Sequence, residues 1–144
     1  MDLDVAINAF ATAIAYAEGF YVNGSRPQRN HNPGDLTVDT VGLGVGKDGP
    51  FIVYANDDDG WTALKKQVER ILTNTSSVYN SDMTIQDVAN RYTATDQTAW
   101  AINVANKLGV SPDTKVSTLL VEATAGVGAI VVLIALVLYF RTKQ

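Results

Sequence analysis

Apolar residues recur at helical spacing from the start of the chain. Ile7, Phe10 and Ile14 form one row, and Glu18 continues that row four residues beyond Ile14. Asp2 or Asp4 can cap this helix and Gly19 is a natural terminator, so it is expected to run to about Glu18. The pattern then changes. Leu36-Thr37-Val38 and Phe51-Ile52-Val53-Tyr54 read as short strands, with the glycine-rich VGLGVGKDGP between them as a hairpin tip. A second amphipathic helix carries Trp61, Leu64, Val68, Ile71 and Leu72 on one face, and Asp57, Asp58 and Asp59 precede it as capping and dipole-matching residues. Residues 73–82 are polar and loop-like. Thr84 and Asp87 make a capping-box-like start to a third helix, in which Ile85, Val88 and Tyr92 share a face. Asp96 opens a helix with Trp100, Val104 and Leu108, closed by Gly109, and Ser111-Pro112-Asp113 reads as one more helix start.

Residues 123–140 (ATAGVGAIVVLIALVLYF) break the amphipathic rhythm. This run is uncharged, apolar on every face and close to the length that crosses a bilayer. Tyr139 suits an interface, and Arg141 and Lys143 follow at once. The pattern predicts an α+β, mainly α domain over residues 1–120 with a small β-hairpin, and a single-pass C-terminal transmembrane anchor with a short basic tail over 121–144. No charged segment followed by an apolar one opens the chain, so no signal peptide is expected, and simple insertion would leave the N-terminal domain in the cytoplasm.

Composition narrows the chemistry. The 144 residues allow one ordinary domain and one appendage, and the absence of cysteine excludes disulfides and thiolate metal sites. The single histidine, His31, lies in an HNPG turn and reads as a loop residue. A net charge of −4 without a basic stripe argues against nucleic-acid binding. The glycine-rich segment is not a phosphate loop: Val41 occupies the first glycine position of the Walker spacing and Asp48 replaces its Ser/Thr. The aspartate run lacks the spaced ligands and terminal glutamate of a calcium loop, since Val68 stands at that last position.

Only three glutamates occur. Glu69 lies on a solvated face among Lys65, Lys66 and Arg70, and Glu122 borders the apolar run. Glu18 ends an apolar stripe, where desolvation favours the neutral carboxyl and raises its pKa. That is the property of a proton donor near neutral pH. The competing reading is a helix-end carboxylate bonded to backbone or to Arg26 or Arg29. The Asn32-Pro33-Gly34 turn either supports a ligand site, positioning Asn32, or only orders the loop. By spacing alone Tyr92 is a core aromatic with a polar tip.

The stretch AEGF followed by SRPQRNHNPGDL resembles the lysozyme-like peptidoglycan-cleaving domains, in particular a phage and bacterial subset of lytic transglycosylase-like proteins. Glu18, Gly19 and Phe20 match the family's Glu-Gly-aromatic helix end. Arg29, Asn32, Pro33, Gly34, Asp35 and Leu36 match its Arg-x-x-Asn-Pro-Gly-Asn-Leu segment, with Asp35 in place of the usual Asn. FIVYANDDDGW, TIQDVANRY and LGVSPDT resemble later pieces in the same order, so the similarity covers most of residues 4–120. The Glu-Ser pair and Gly-Leu-Met-Gln stretch of the better-known soluble transglycosylases are missing. The resemblance implies a lysozyme-like fold with Glu18 as the catalytic acid and Tyr92 lining the sugar cleft; Asn32 and Arg29 are the further candidate substrate-binding residues. It implies cleavage of the β-1,4 bond between N-acetylmuramic acid and N-acetylglucosamine in peptidoglycan strands, without metal or cofactor. A hydrolase normally uses a second carboxylate, for which Asp35, Asp39 and Asp57 are candidates; a lytic transglycosylase uses none. Arg26 and Arg29 either contact anionic peptide stems or order the loop. An anchored domain of this kind suits the internal membrane of a phage virion, among other virion membrane or capsid proteins, or a bacterial inner membrane facing the wall. The alternative is a non-enzymatic membrane-anchored virion or envelope protein that keeps the fold for binding or support.

Overall fold

A computed structural model describes residues 2–120 of the chain. Helix α1 (Leu3–Ala17) begins at Asp2, whose side chain accepts the Asp4 N–H at 3.3 Å. It buries Ala6, Ile7, Phe10, Ala11, Ala13, Ile14 and Ala15, which is more than one face. The reason is that α1 packs against both α3 (Asp57–Leu72) and α5 (Gln97–Leu108), and its alanines let both come close. Helix α4 (Ile85–Tyr92) packs on α5. Leu64, Val68 and Ile71 of α3, Ile85 and Val88 of α4, and Val104 of α5 complete a single core.

The helix starts follow their local chemistry. Asn56 caps α3 by accepting the Asp59 N–H at 2.9 Å, so Asp57, Asp58 and Asp59 lie inside the first turn, where the helix dipole favours negative charge. At α4 the capping box is reciprocal: the Asp87 N–H donates to Thr84 Oγ1 and the Thr84 N–H to Asp87 Oδ2, each at 3.0 Å. Asp96 opens α5 differently from expectation. It sits in the left-handed region at φ 53° and makes no side-chain cap bond.

Two expected elements are corrected. Residues 36–38 are not a strand. The partner of β2 (Phe51–Tyr54) is β1 (Gly44–Asp48), inside the glycine-rich segment, in an antiparallel pair with Lys47 opposite Ile52 and an irregularity between Gly44 and Gly46. Leu36 has its backbone committed elsewhere: its N–H donates to Asn32 Oδ1, and its carbonyl accepts from the Ile52 N–H at the edge of β2. Ser111-Pro112-Asp113 does not open an α-helix either. It forms a turn whose Ser111 Oγ accepts the Asp113 N–H, followed by a single 3-10 turn at Val116–Thr118. That segment is held to the start of α4 by backbone bonds from Ile85 N–H to Thr114 O and from Val116 N–H to Met83 O.

The described part is therefore α+β and mainly helical, with one small two-stranded sheet. Among the described residues no helix is long and apolar enough to cross a membrane. The expected anchor, residues 123–140, lies outside the described residues.

Candidate active site

The end of α1 aims the key carboxyl. Gly19, at φ 80°, reverses the chain in a Schellman arrangement: the Phe20 N–H bonds to Ala15 O at 3.0 Å and the Gly19 N–H to Tyr16 O at 3.1 Å. Glu18 is the last residue with helical backbone angles, one step before the reversal. Its Oε1 accepts the Trp100 indole N–H from α5 at 2.7 Å, across 82 positions of sequence. Oε2 has no hydrogen-bond partner among the described residues. Burial pushes the Glu18 carboxyl up from 4.5 to about 7; the Trp100 bond opposes this, the nearby Asp35 charge adds to it, and Arg26 offsets part.

A cleft of about 800 Å3 lies over this carboxyl. One wall comes from the loop that follows α1. There Ser25 caps the one-turn helix α2 (Arg26–Arg29) by accepting the Gln28 N–H, with Pro27 in its first turn. The chain then passes residues 30–36, where His31 and Asp35 both adopt positive φ. Asn32 makes this possible. Its side chain is fully buried, accepts the Leu36 N–H at 2.8 Å, and donates to Leu36 O at 3.0 Å and Ile52 O at 2.9 Å. The loop also lies directly on α3 at Gly60, where a Cβ would stand 1.8 Å from His31 O. His31 Nδ1 meets Asp57 Oδ1 at 2.7 Å at the start of the same helix.

Asp35, buried in the cleft wall, receives a two-pronged bond from Arg26, including Nε to Oδ1 at 3.1 Å. The same guanidinium lies over the Phe51 ring of β2, 3.4 Å from its centroid. Loop, acid and hairpin are thus tied at one point. Across the cleft, Tyr79, Tyr92 and Trp100 form an aromatic row, with ring centroids 6.5 and 5.0 Å apart. Tyr92 donates its hydroxyl to Gly34 O at 2.8 Å. Burial first, and the Glu18 charge next, push that hydroxyl well above the usual tyrosine range, so it stays a donor. Arg70 and Arg91 also line the cleft, from the last turns of α3 and α4. Neither forms an ion pair among the described residues, although Arg91 touches Met83 Sδ at 3.2 Å.

The structure brings Glu18 and Tyr92 into one cleft. It places Asn32 behind the wall, with its amide fully used by backbone and no face toward the cleft, so as a direct substrate contact Asn32 is corrected to a loop staple. Arg29 is exposed, donates to Gly24 O, and holds the preceding turn rather than lining the cleft. Of the candidate second carboxylates, only Asp35 lines the cleft. Asp39 is a turn staple: burial would raise its pKa, but the N–H groups of Gly44, Val41, Gly42 and Leu43 bond to it and hold it low. Asp57 faces His31. Two features escape the pattern of the sequence. The Trp100 bond to Glu18 was hidden because Trp100 reads as an ordinary core position of α5. The Arg26–Asp35 pair was hidden because the eight intervening residues fold back on themselves. No protein-family model, curated protein or solved structure matches the chain.

Proposed function

We propose that the chain is a lysozyme-like, membrane-anchored enzyme that cleaves the β-1,4 bond between N-acetylmuramic acid and N-acetylglucosamine as a lytic transglycosylase. One observation carries this reading: a glutamate with its pKa raised to about 7 lies in a cleft of about 800 Å3, with one oxygen bound by an indole N–H and the other without a partner among the described residues. The free Oε2 carries the proton. It protonates the glycosidic oxygen as the C1–O bond breaks and positive charge develops at C1. The resulting Glu18 carboxylate then takes the proton of the muramic 6-hydroxyl as that oxygen attacks C1, giving a 1,6-anhydro ring. A carboxyl poised near neutrality serves both as acid and as base.

Among the described residues, the cleft holds no free candidate for the second carboxylate of a hydrolase. Asp35 is the only other acid lining the cleft among the described residues and is engaged by Arg26, which favours the intramolecular route over activation of water. Arg70 and Arg91 suit a strand whose muramic acids carry anionic peptide stems. Tyr92 and the hairpin residue Phe51 offer apolar surface to the sugar rings. The apolar run 123–140 is the proposed anchor, with a virion internal membrane as the favoured location. Recovery of the protein from host envelopes but not from purified virions would exclude that location. The enzymatic reading is tested by the products formed from isolated peptidoglycan: anhydro-muropeptides are expected, and reducing-end products would point to hydrolysis.

A further inference from the structure

The groove between α1 and the first half of α3 is unused by this mechanism. It is a depression of about 490 Å3, walled by Asn8 on one helix and by Asp58, Trp61, Thr62 and Lys65 on the other, with Tyr21 at its edge. It shares no lining residue with the Glu18 cleft. Two aromatic rings stand in it, and a third fixes them. Phe20 is buried and meets Tyr21 edge-on at 5.5 Å and Trp61 edge-on at 5.7 Å. Tyr21 is nevertheless 56% exposed, a large ring held in water by a buried one. The polar groups around the rings are uncommitted. The side chains of Asn8, Asp58 and Lys65, the Tyr21 hydroxyl and the Trp61 indole N–H make no hydrogen bond or ion pair among the described residues.

Two fixed aromatic rings bordered by an amide, one acid and one base match a ligand with a C–H face and a hydroxyl and amide edge. Asp58 and Lys65 balance in charge, which favours a neutral ligand over an anionic one. We propose that this groove is an accessory saccharide-binding site, taking N-acetylhexosamine units of a glycan strand away from Glu18. The identity of that strand as peptidoglycan rests on the function proposed above; the groove's preference for a saccharide does not. Trp61 and Arg70 belong to the same helix, and their separation along its axis is roughly 14 Å. The groove would hold a strand while its remote units occupy the cleft.

The chain's two tryptophans allow a direct test, because Trp61 reports on the groove and Trp100 on the cleft. The full chain carrying Glu18→Gln, 15N-labelled in non-ionic detergent, would be titrated with the N-acetylglucosamine dimer, too short to reach from groove to cleft, while its two indole N–H signals are followed. Trp61→Phe assigns the signals. The Trp61 signal is expected to move saturably. Tyr21→Ser, at an exposed position, should weaken that titration by about fivefold and leave the response of Trp100 unchanged. Movement of Trp100 alone, or a Trp61 titration indifferent to Tyr21→Ser, would overturn the accessory site and leave the cleft reading standing. Movement of Trp61 in a chain whose wild type cleaves no peptidoglycan would support the groove and remove the enzyme.

Discussion

At the scale of single residues, the proposed cleavage depends on Glu18 and on what surrounds its carboxyl. Glu18→Gln removes the proton donor while keeping the shape, so cleavage should fall by roughly 10²–10⁴-fold, measured as release of soluble muropeptides. In the proposed mechanism the acid must be protonated to act. With a pKa raised to about 7, the rate of wild type should therefore decline as pH rises through 7. Stability has a matching sign. The folded state holds the Glu18 proton more tightly than the unfolded chain, so between the ordinary value of 4.5 and about 7 the folded state loses stability as pH rises. Glu18→Gln should accordingly raise Tm relative to wild type more at pH 8 than at pH 4, and an equal offset at both would contradict the buried-carboxyl assignment. The Trp100 bond lowers the Glu18 pKa, so Trp100→Phe should move the alkaline limb of the pH–rate profile upward as well as slowing the reaction. The sequence exposes the desolvation of Glu18, because that follows from the row of Ile7, Phe10 and Ile14 beneath it. It does not expose Trp100, because a contact between α1 and α5 is a property of packing and leaves no local spacing to read.

At the scale of elements, the loop of residues 25–36 is the part whose order matters most. Asn32→Ala would leave the Leu36 N–H and the Leu36 and Ile52 carbonyls without their side-chain partner, and should destabilise by about 2–4 kcal/mol. Denaturant unfolding measures this, and Asn32→Asp should not rescue it, since a carboxylate cannot donate to the two carbonyls. A substrate-contact role would instead predict a raised KM with unchanged stability. Gly60→Ala forces a methyl into His31 O and should cost roughly 3 kcal/mol or more. The helices were legible because capping residues and apolar spacing both act within a few residues, as at Thr84 and Asp87. The first strand was misplaced for a physical reason. β1 is exposed along its whole length and has no apolar alternation to betray it. What sets it is the pairing with β2, together with Asp39, which gathers the N–H groups of residues 41–43 just before it and of Gly44 at its start. The apolar Leu36, which looked like strand, is used to pin the loop.

At the scale of the whole molecule, an acidic chain lines the cleft of its catalytic candidate with Arg26, which is paired with Asp35, and with Arg70 and Arg91, which form no ion pair among the described residues. Replacement of Arg70 and Arg91 together by alanine should raise KM for peptide-bearing strands several-fold and reduce the salt dependence of binding, while strands stripped of their peptides should be cut as by wild type. An equal loss on both substrates would show that the arginines support the fold rather than the stem. Helix α3 joins the two proposed surfaces, with Trp61 in the groove and Arg70 in the cleft. The mainly helical architecture with one small hairpin was readable from the chain, whereas the separation of groove from cleft emerges only when α1 and α3 are laid side by side. The central claim is that Glu18 breaks a glycosidic bond without water. It is tested most directly by mass spectrometry of the products released from isolated peptidoglycan by the full chain, with Glu18→Gln alongside. 1,6-Anhydro-muropeptides are expected from wild type and none from the variant. No soluble product from the folded wild type, or equal product from both proteins, would contradict it.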